Sequence, residues 1–112
     1  MSRTWVLTRQ AEAALEDIAD WTWQTFGPRQ AELYAEDLIA HCSALADGMV
    51  HSRSCRALLD PDLPEDLRFA RMGRHYIVFI EEPARIVIVD LLHVSSDLPR
   101  RLAERGDGEG RD

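Results

Sequence analysis

Lysine is absent from this 112-residue chain, and all 13 of its basic residues are arginine. That is a compositional bias, and no mechanism is drawn from it. Only two cysteines occur, Cys42 and Cys55. Their spacing fits no metal-ligand motif, and two thiols alone do not make a disulfide framework. No apolar run approaches the ~20 residues that span a bilayer, so no membrane segment is expected. Met1-Ser2-Arg3 runs straight into a short apolar segment without the pattern of a signal peptide. The expected compartment is therefore cytoplasmic, with reduced thiols. No internal repeat occurs. Positive charge is also scarce: the net charge is −7, and residues 1–52 alone carry −5. An acidic chain gains nothing from phosphate counterion release, which disfavours direct nucleic-acid binding.

What is present reads as one domain over residues 1–105, followed by a disordered acidic tail over 106–112, GDGEGRD. Residues 3–7 are β-branched and aromatic and predict a first strand. Thr8 then reads as the N-cap of a helix over 9–26. Ala11, Ala14, Leu15, Ile18, Thr22, Thr25 and Phe26 share one face of it. Trp21 flanks that face, and Trp23 points away from it. Gly27-Pro28 ends this helix and opens a second over 29–46. There Ala31, Tyr34, Ala35, Leu38, Cys42 and Leu45 line up, with Leu33 almost opposite. The short connection predicts an antiparallel helical hairpin.

A connector over 48–66 leads to the strongest β signal in the chain. Strands are predicted over 67–72, 75–81 and 85–92, joined by turns at Gly73 and Glu82-Pro83-Ala84. A short helix over 97–104 follows in this reading. The expected fold class is α+β, in the order β-α-α-β-β-β(-α). The helical hairpin covers one face of a four-stranded, mainly antiparallel sheet; the place of the first strand in it is left open. In the last strand Asp90 interrupts the set Ile86, Ile88, Leu92. That set is therefore assigned to the open face, and Val87, Val89 and Leu91 to the helix-covered face.

The element order resembles the ParE/RelE superfamily of toxins from type II toxin–antitoxin systems, over about Trp5 to Leu102. The residues that carry the resemblance are Ala14-Leu15-Glu16-Asp17-Ile18 on the first helix, the Pro28 opening of the second, and Asp66-Leu67-Arg68. The aromatic strand after Gly73 and the exit Leu92-His93-x-x-x-Asp97 complete it. RelE-like members are ribosome-dependent mRNA endonucleases, whose chemistry needs cations around the scissile phosphate. Here Tyr76 stands where that branch has a strand arginine, and Val94, Ser95 and Ser96 where it has a basic pair. The resemblance thus points to the ParE-like branch, which acts by binding DNA gyrase, carries no catalytic set or cofactor, and is neutralised by a cognate antitoxin. The alternatives are a RelE-like nuclease with an altered site and a non-toxic member that serves as a binding module.

Candidate target-binding residues are Arg68, Arg71, Arg74, His93 and Asp97. Arg68 is either a target-facing cation or a sheet-locking arginine paired with Asp66, Asp90 or Asp97. His93 either handles protons or orients a turn. Arg71 and Arg74 flank the Gly73 turn, either solvated or docking an acidic segment. Candidate antitoxin-binding residues are Trp21, Trp23 and Leu33, apolar positions on or beyond the edge of the core faces, together with Arg53 and Arg56 of the connector. The remaining histidines are scattered, and no metal site is expected.

Overall fold

A computed structural model of the chain describes residues 3–58 and 61–95. The elements run β1 (Thr4–Leu7), α1 (Arg9–Phe26), α2 (Pro28–Ala46), β2 (Arg53–Ser54), α3 (Cys55–Leu58), β3 (Leu67–Met72), β4 (His75–Glu81) and β5 (Arg85–His93). The helix expected over 97–104, Asp97 and the tail over 106–112 lie outside the described residues.

Thr8 shows how a local signal becomes tertiary structure. Its hydroxyl accepts from the Ala11 amide at 3.1 Å, which caps α1, and donates to the Val89 carbonyl at 3.2 Å. Its own amide donates to the Ile88 carbonyl at 2.9 Å. One side chain therefore starts the helix and fixes its entry onto β5. At the other end of the hairpin, Gly27 alone separates α1 from α2, with φ +95°. That backbone conformation favours glycine.

The sheet has five strands, in the order β1-β5-β4-β3-β2. The expected four-stranded, mainly antiparallel sheet is corrected in its strand number, and the place left open for the first strand is filled. β1 lies parallel to β5, with Leu7 opposite Ile88, so the first strand forms one edge of a mixed sheet. β2 forms the other edge: Arg53 sits opposite Phe69, and Ser54 opposite Arg68. A two-residue strand carries no alternation to read, which is why the connector concealed it.

Leu91 and Leu92 lie on the expected faces of β5, but the faces of Ile86, Val87, Ile88 and Val89 are corrected. Ile86 and Ile88 pack with the helices, beside Ala11, Cys42, Leu45, Ala46, Ala70, Ile77, Phe79 and Leu91. Val89 and, partly, Val87 pack on the opposite face, with Cys55, Leu63, Leu67, Val78 and Leu92. The cause is a register shift: Val78 stands opposite Asp90, but Phe79 stands opposite Ile88. Val89 is the extra residue of a β-bulge, and a bulge reverses the alternation beyond it. Asp90 therefore said nothing about the face of Ile86 and Ile88. It lies past the end of β1, where it accepts from the Gln10 amide at 3.1 Å and from the Leu91 N–H at 2.8 Å.

Both cysteines are buried and free. Burial pushes the Cys42 thiol up to about 11, and that of Cys55 up to about 12 against the opposing pull of Arg68. Both stay protonated and unreactive at neutral pH. Arg3 ties the far end of α2 to the sheet. It donates to the carbonyls of Ala46 and Leu45 at 3.1 and 3.3 Å and pairs with Glu81 at 3.3 Å. A guanidinium at a helix C-terminus satisfies orphan carbonyls and complements the helix dipole.

The face assignment has a direct test. Ile88→Ala is expected to cost about 2–5 kcal/mol in urea unfolding, because it opens a cavity under both helices. Val87→Ala, at a half-buried position, is expected to cost about 1 kcal/mol. The reverse ranking would mean that the helices pack on the other set.

Candidate partner-binding surface

The helical hairpin overhangs the sheet at its Gly27 end. Thr22 is the last buried residue of α1. Phe26, which the 3.6-residue pattern places on the core face, is 52% exposed. The helix outruns the strands beneath it, so its last turn has no sheet to pack on. Trp21, 50% exposed, meets Phe26 edge-to-face with ring centroids 5.8 Å apart. Across from them the β3–β4 turn lifts Arg74, whose guanidinium sits 5.5 Å from the centre of the Phe26 ring. Such a cation–π contact holds both groups at the surface without burying either.

Tyr34 of α2 fixes this arrangement. Its hydroxyl receives the Arg74 amide at 3.0 Å and lies 2.7 Å from His75 Nδ1. The chain can approach this closely only because residue 73 is glycine. Gly73 has φ +60°, and a Cβ there would lie 2.9 Å from the Tyr34 hydroxyl oxygen. The resulting cavity holds about 420 Å³ and is lined by Trp21, Thr22, Phe26, Tyr34, Arg74 and His75, among others. It combines an aromatic wall with one guanidinium, the makings of a seat for an apolar side chain with a carboxylate beside it.

His75 closes the floor. It is buried, and its ring meets His93 edge-to-face at 5.3 Å. Burial, followed by the nearby His93 and Arg74, pulls the His75 imidazole down to about 4. At neutral pH it is uncharged, so Nδ1 can accept from the Tyr34 hydroxyl. His93 also lines a second depression, with Gln10, Asp17 and Asp90. Its Nδ1 receives the Ser95 amide at 3.0 Å and lies 2.7 Å from the Ser95 hydroxyl, so its ring is occupied by the turn that follows β5.

The other sequence-derived candidates are dispersed. Arg68 turns inward: it donates from Nε to the Ser52 hydroxyl at 2.7 Å and from a terminal nitrogen to the Ser52 carbonyl at 2.9 Å. It clamps the connector, with Ser52 in place of the expected carboxylate. Arg56 donates to the Leu63 carbonyl at 3.0 Å and lies 3.8 Å from Glu65. Arg71 reaches the Gly73 carbonyl at 3.2 Å and, with Arg53, lines a third depression on the opposite face of the sheet. Trp23, 59% exposed, and Leu33, 42% exposed, lie on the hairpin but do not line the aromatic cavity. Three residues that sequence reasoning did not single out as site residues build it instead: Phe26, Tyr34 and His75. Phe26 next to Gly27-Pro28 was the available signal, since a helix end has fewer neighbours to cover it. Among the described residues no group of three His, Cys, Asp or Glu could hold a metal ion, and no helix is long and apolar enough to cross a membrane.

His75 makes folding depend on pH. Its folded value lies below its unfolded one, so between about 6.5 and about 4 the unfolded chain binds more protons than the native chain. The contribution is full above pH 6.5 and is lost as pH falls towards 4, with a slope of up to about 1.4 kcal/mol per pH unit. In urea titrations over that window, His75→Gln is expected to flatten the decline. An unchanged slope would place the decline on other groups.

Comparison with known proteins gives a consistent set of relatives. The family model described as ParE toxin of type II toxin-antitoxin system, parDE, matches residues 6–98. Toxin ParE of Escherichia coli is 33% identical over 107 residues, which cover 93% of this chain and 97% of that protein. Among solved structures, the chromosomal ParDE TA system from P. aeruginosa superposes with a TM-score of 0.65 at 19% identity, over 84% of this chain and 98% of that one. At that identity the match concerns the fold alone.

Proposed function

Because the chain belongs to the ParE toxin family of type II toxin–antitoxin systems, we propose that it inhibits DNA gyrase by binding it, and that a cognate antitoxin neutralises it at the overhanging end of the helical hairpin. The observation that carries the second part is the cavity of Trp21, Phe26, Tyr34 and Arg74. Aromatic groups half-exposed around a guanidinium are the surface type that anchors a partner segment. An apolar anchor of the antitoxin enters the cavity beside Trp21 and Phe26, and a carboxylate next to it meets Arg74. Trp23 and Leu33 extend the apolar contact along the hairpin. Arg68 belongs to the scaffold in this reading, because Ser52 occupies its guanidinium.

Expression in cells distinguishes the mechanisms. Induction of the chain alone is expected to give filamentation and DNA-damage signalling, and co-expression of the product of the adjacent antitoxin reading frame is expected to restore growth. Immediate translation arrest with codon-positioned mRNA cuts would replace the gyrase reading with the nuclease one, and normal growth would favour a non-toxic binding module. By calorimetry, Trp21→Ala is expected to weaken antitoxin binding about tenfold or more, since a truncated aromatic anchor typically costs about 2 kcal/mol or more. Its thermal stability is expected to change little, because the side chain is half-exposed. Unchanged affinity would remove the groove from the interface.

A further inference from the structure

The outer surface of the helical hairpin carries a feature that neither the groove nor the core explains. Glu12, Glu16 and Asp20 follow one another at four-residue spacing on α1, so they form a ladder along one side of the helix. Trp23 continues that side three residues on. All four are exposed, Trp23 at 59%. On α2, Leu33 is exposed together with Glu36 and Asp37, three and four residues further along its own side. Trp23 and Leu33 each lie within two turns of Gly27, at the same end of the hairpin. Residues 9–46 hold seven carboxylates against two arginines, Arg9 and Arg29. Among the described residues no ion pair joins Glu12, Glu16, Asp20, Glu36 or Asp37 to a guanidinium. Glu12 lies in the first turn of α1, where a carboxylate suits the helix dipole, but Glu16 and Asp20 lie beyond it. Like charges four residues apart repel, so the ladder works against the helix that carries it.

We infer that this outer face engages the target protein, and that the target meets it with a basic surface, into which Trp23 and Leu33 enter as apolar anchors. The inference rests on the reading that the chain acts by binding a target, and adds the surface used and the chemistry it meets. Charge complementarity carries the choice of partner. Unpaired carboxylates at regular spacing attract arginine and lysine side chains and repel nucleic acid and acidic segments. Exposed ion pairs alone contribute little, and the tryptophan at the end of the ladder supplies the apolar contact that such an interface needs. A protein that handles DNA carries basic surface to hold phosphates, which makes DNA gyrase a fitting partner. The same placement accounts for neutralisation by occlusion. An antitoxin seated in the groove and extending over Trp23 and Leu33 covers the anchors that the target requires.

The test compares the full chain with two charge-matched triple variants. Glu12→Gln/Glu16→Gln/Asp20→Asn removes the ladder, and Asp47→Asn/Glu65→Gln/Asp66→Asn removes three exposed carboxylates elsewhere. Each is titrated by fluorescence anisotropy against a dye-labelled helical peptide with arginines along one side and leucines beside them. Each is also titrated by biolayer interferometry against purified DNA gyrase. The ladder variant is expected to bind the peptide about tenfold or more weakly, with most of the salt dependence lost. The control variant is expected to weaken it less than about twofold. Trp23→Ala is expected to weaken it about tenfold. The ladder variant is expected to melt at the wild-type temperature or above it, because the repulsion within α1 is gone. Equal losses in the two triple variants would overturn the inference, since net charge alone would then account for binding. So would unchanged affinity of the ladder variant or of Trp23→Ala, or a lower melting temperature of the ladder variant, which would make the carboxylates structural. Gyrase separates the two readings. If the peptide results hold but wild-type chain does not bind gyrase, the gyrase reading falls and the basic-surface inference stands. If gyrase binds wild type and the ladder variant equally, the inference falls and the gyrase reading stands.

Discussion

The seating of the Tyr34 hydroxyl over Gly73 is the contact on which the aromatic end of the helical hairpin depends. It joins α2 to the β3–β4 turn with a single oxygen that receives the Arg74 amide and faces His75 Nδ1. A Cβ at residue 73 would lie 2.9 Å from that oxygen, and the positive φ of the residue sets the turn. From this contact follow the position of Arg74 over Phe26, the burial of an uncharged His75, and the depth of the aromatic cavity. Arg3 makes the corresponding tie at the other end of α2, through its C-terminal carbonyls. The hairpin is thus pinned near both ends of its second helix, while the last turn of α1 remains free to present its aromatic side chains.

The helices were legible in the sequence because their signals are local. Thr8, Gly27-Pro28 and the apolar stripes determine 9–26 and 29–46, and the structure shifts the second start by one residue. The three meander strands were legible for the same reason, each being a β-branched run between turn residues. What local pattern could not show was pairing. The parallel placement of β1 against β5 depends on contacts more than 80 residues apart. The bulge at Val89 depends on what β4 places opposite β5. One inserted residue was enough to reverse the faces inferred from Asp90, because alternation is a phase and a phase is lost at a bulge.

The site was less legible, for a related reason. Exposed tryptophans on a helical hairpin can be recognised from a helical wheel, and Trp21 does line the cavity. The wheel also sent Phe26 into the core, because a wheel has no length and cannot show that a helix runs past its sheet. Tyr34 was placed correctly on the inward face of α2, but inward there means towards a polar turn and not an apolar core. Its partner His75 lies 41 residues away. Arg68, whose type and position marked it as a candidate, is satisfied by a serine of the connector, a partner no spacing rule would select.

Arg71 and Arg74 show how backbone geometry separates residues that sequence groups together. They flank one glycine and read as a single basic turn. Within the hairpin, however, Arg71 pairs with Tyr76 while Met72 pairs with His75, and adjacent pairs face opposite sides of the sheet. Arg71 accordingly lines the depression beside Arg53, and Arg74, carried over the turn, faces the aromatic groove. A chain of net charge −7 is poorly suited to one broad basic surface. It can place single guanidiniums next to aromatic rings, where a modest charge is reinforced by apolar contact area and fixed geometry. Two such placements lie on opposite sides of one turn.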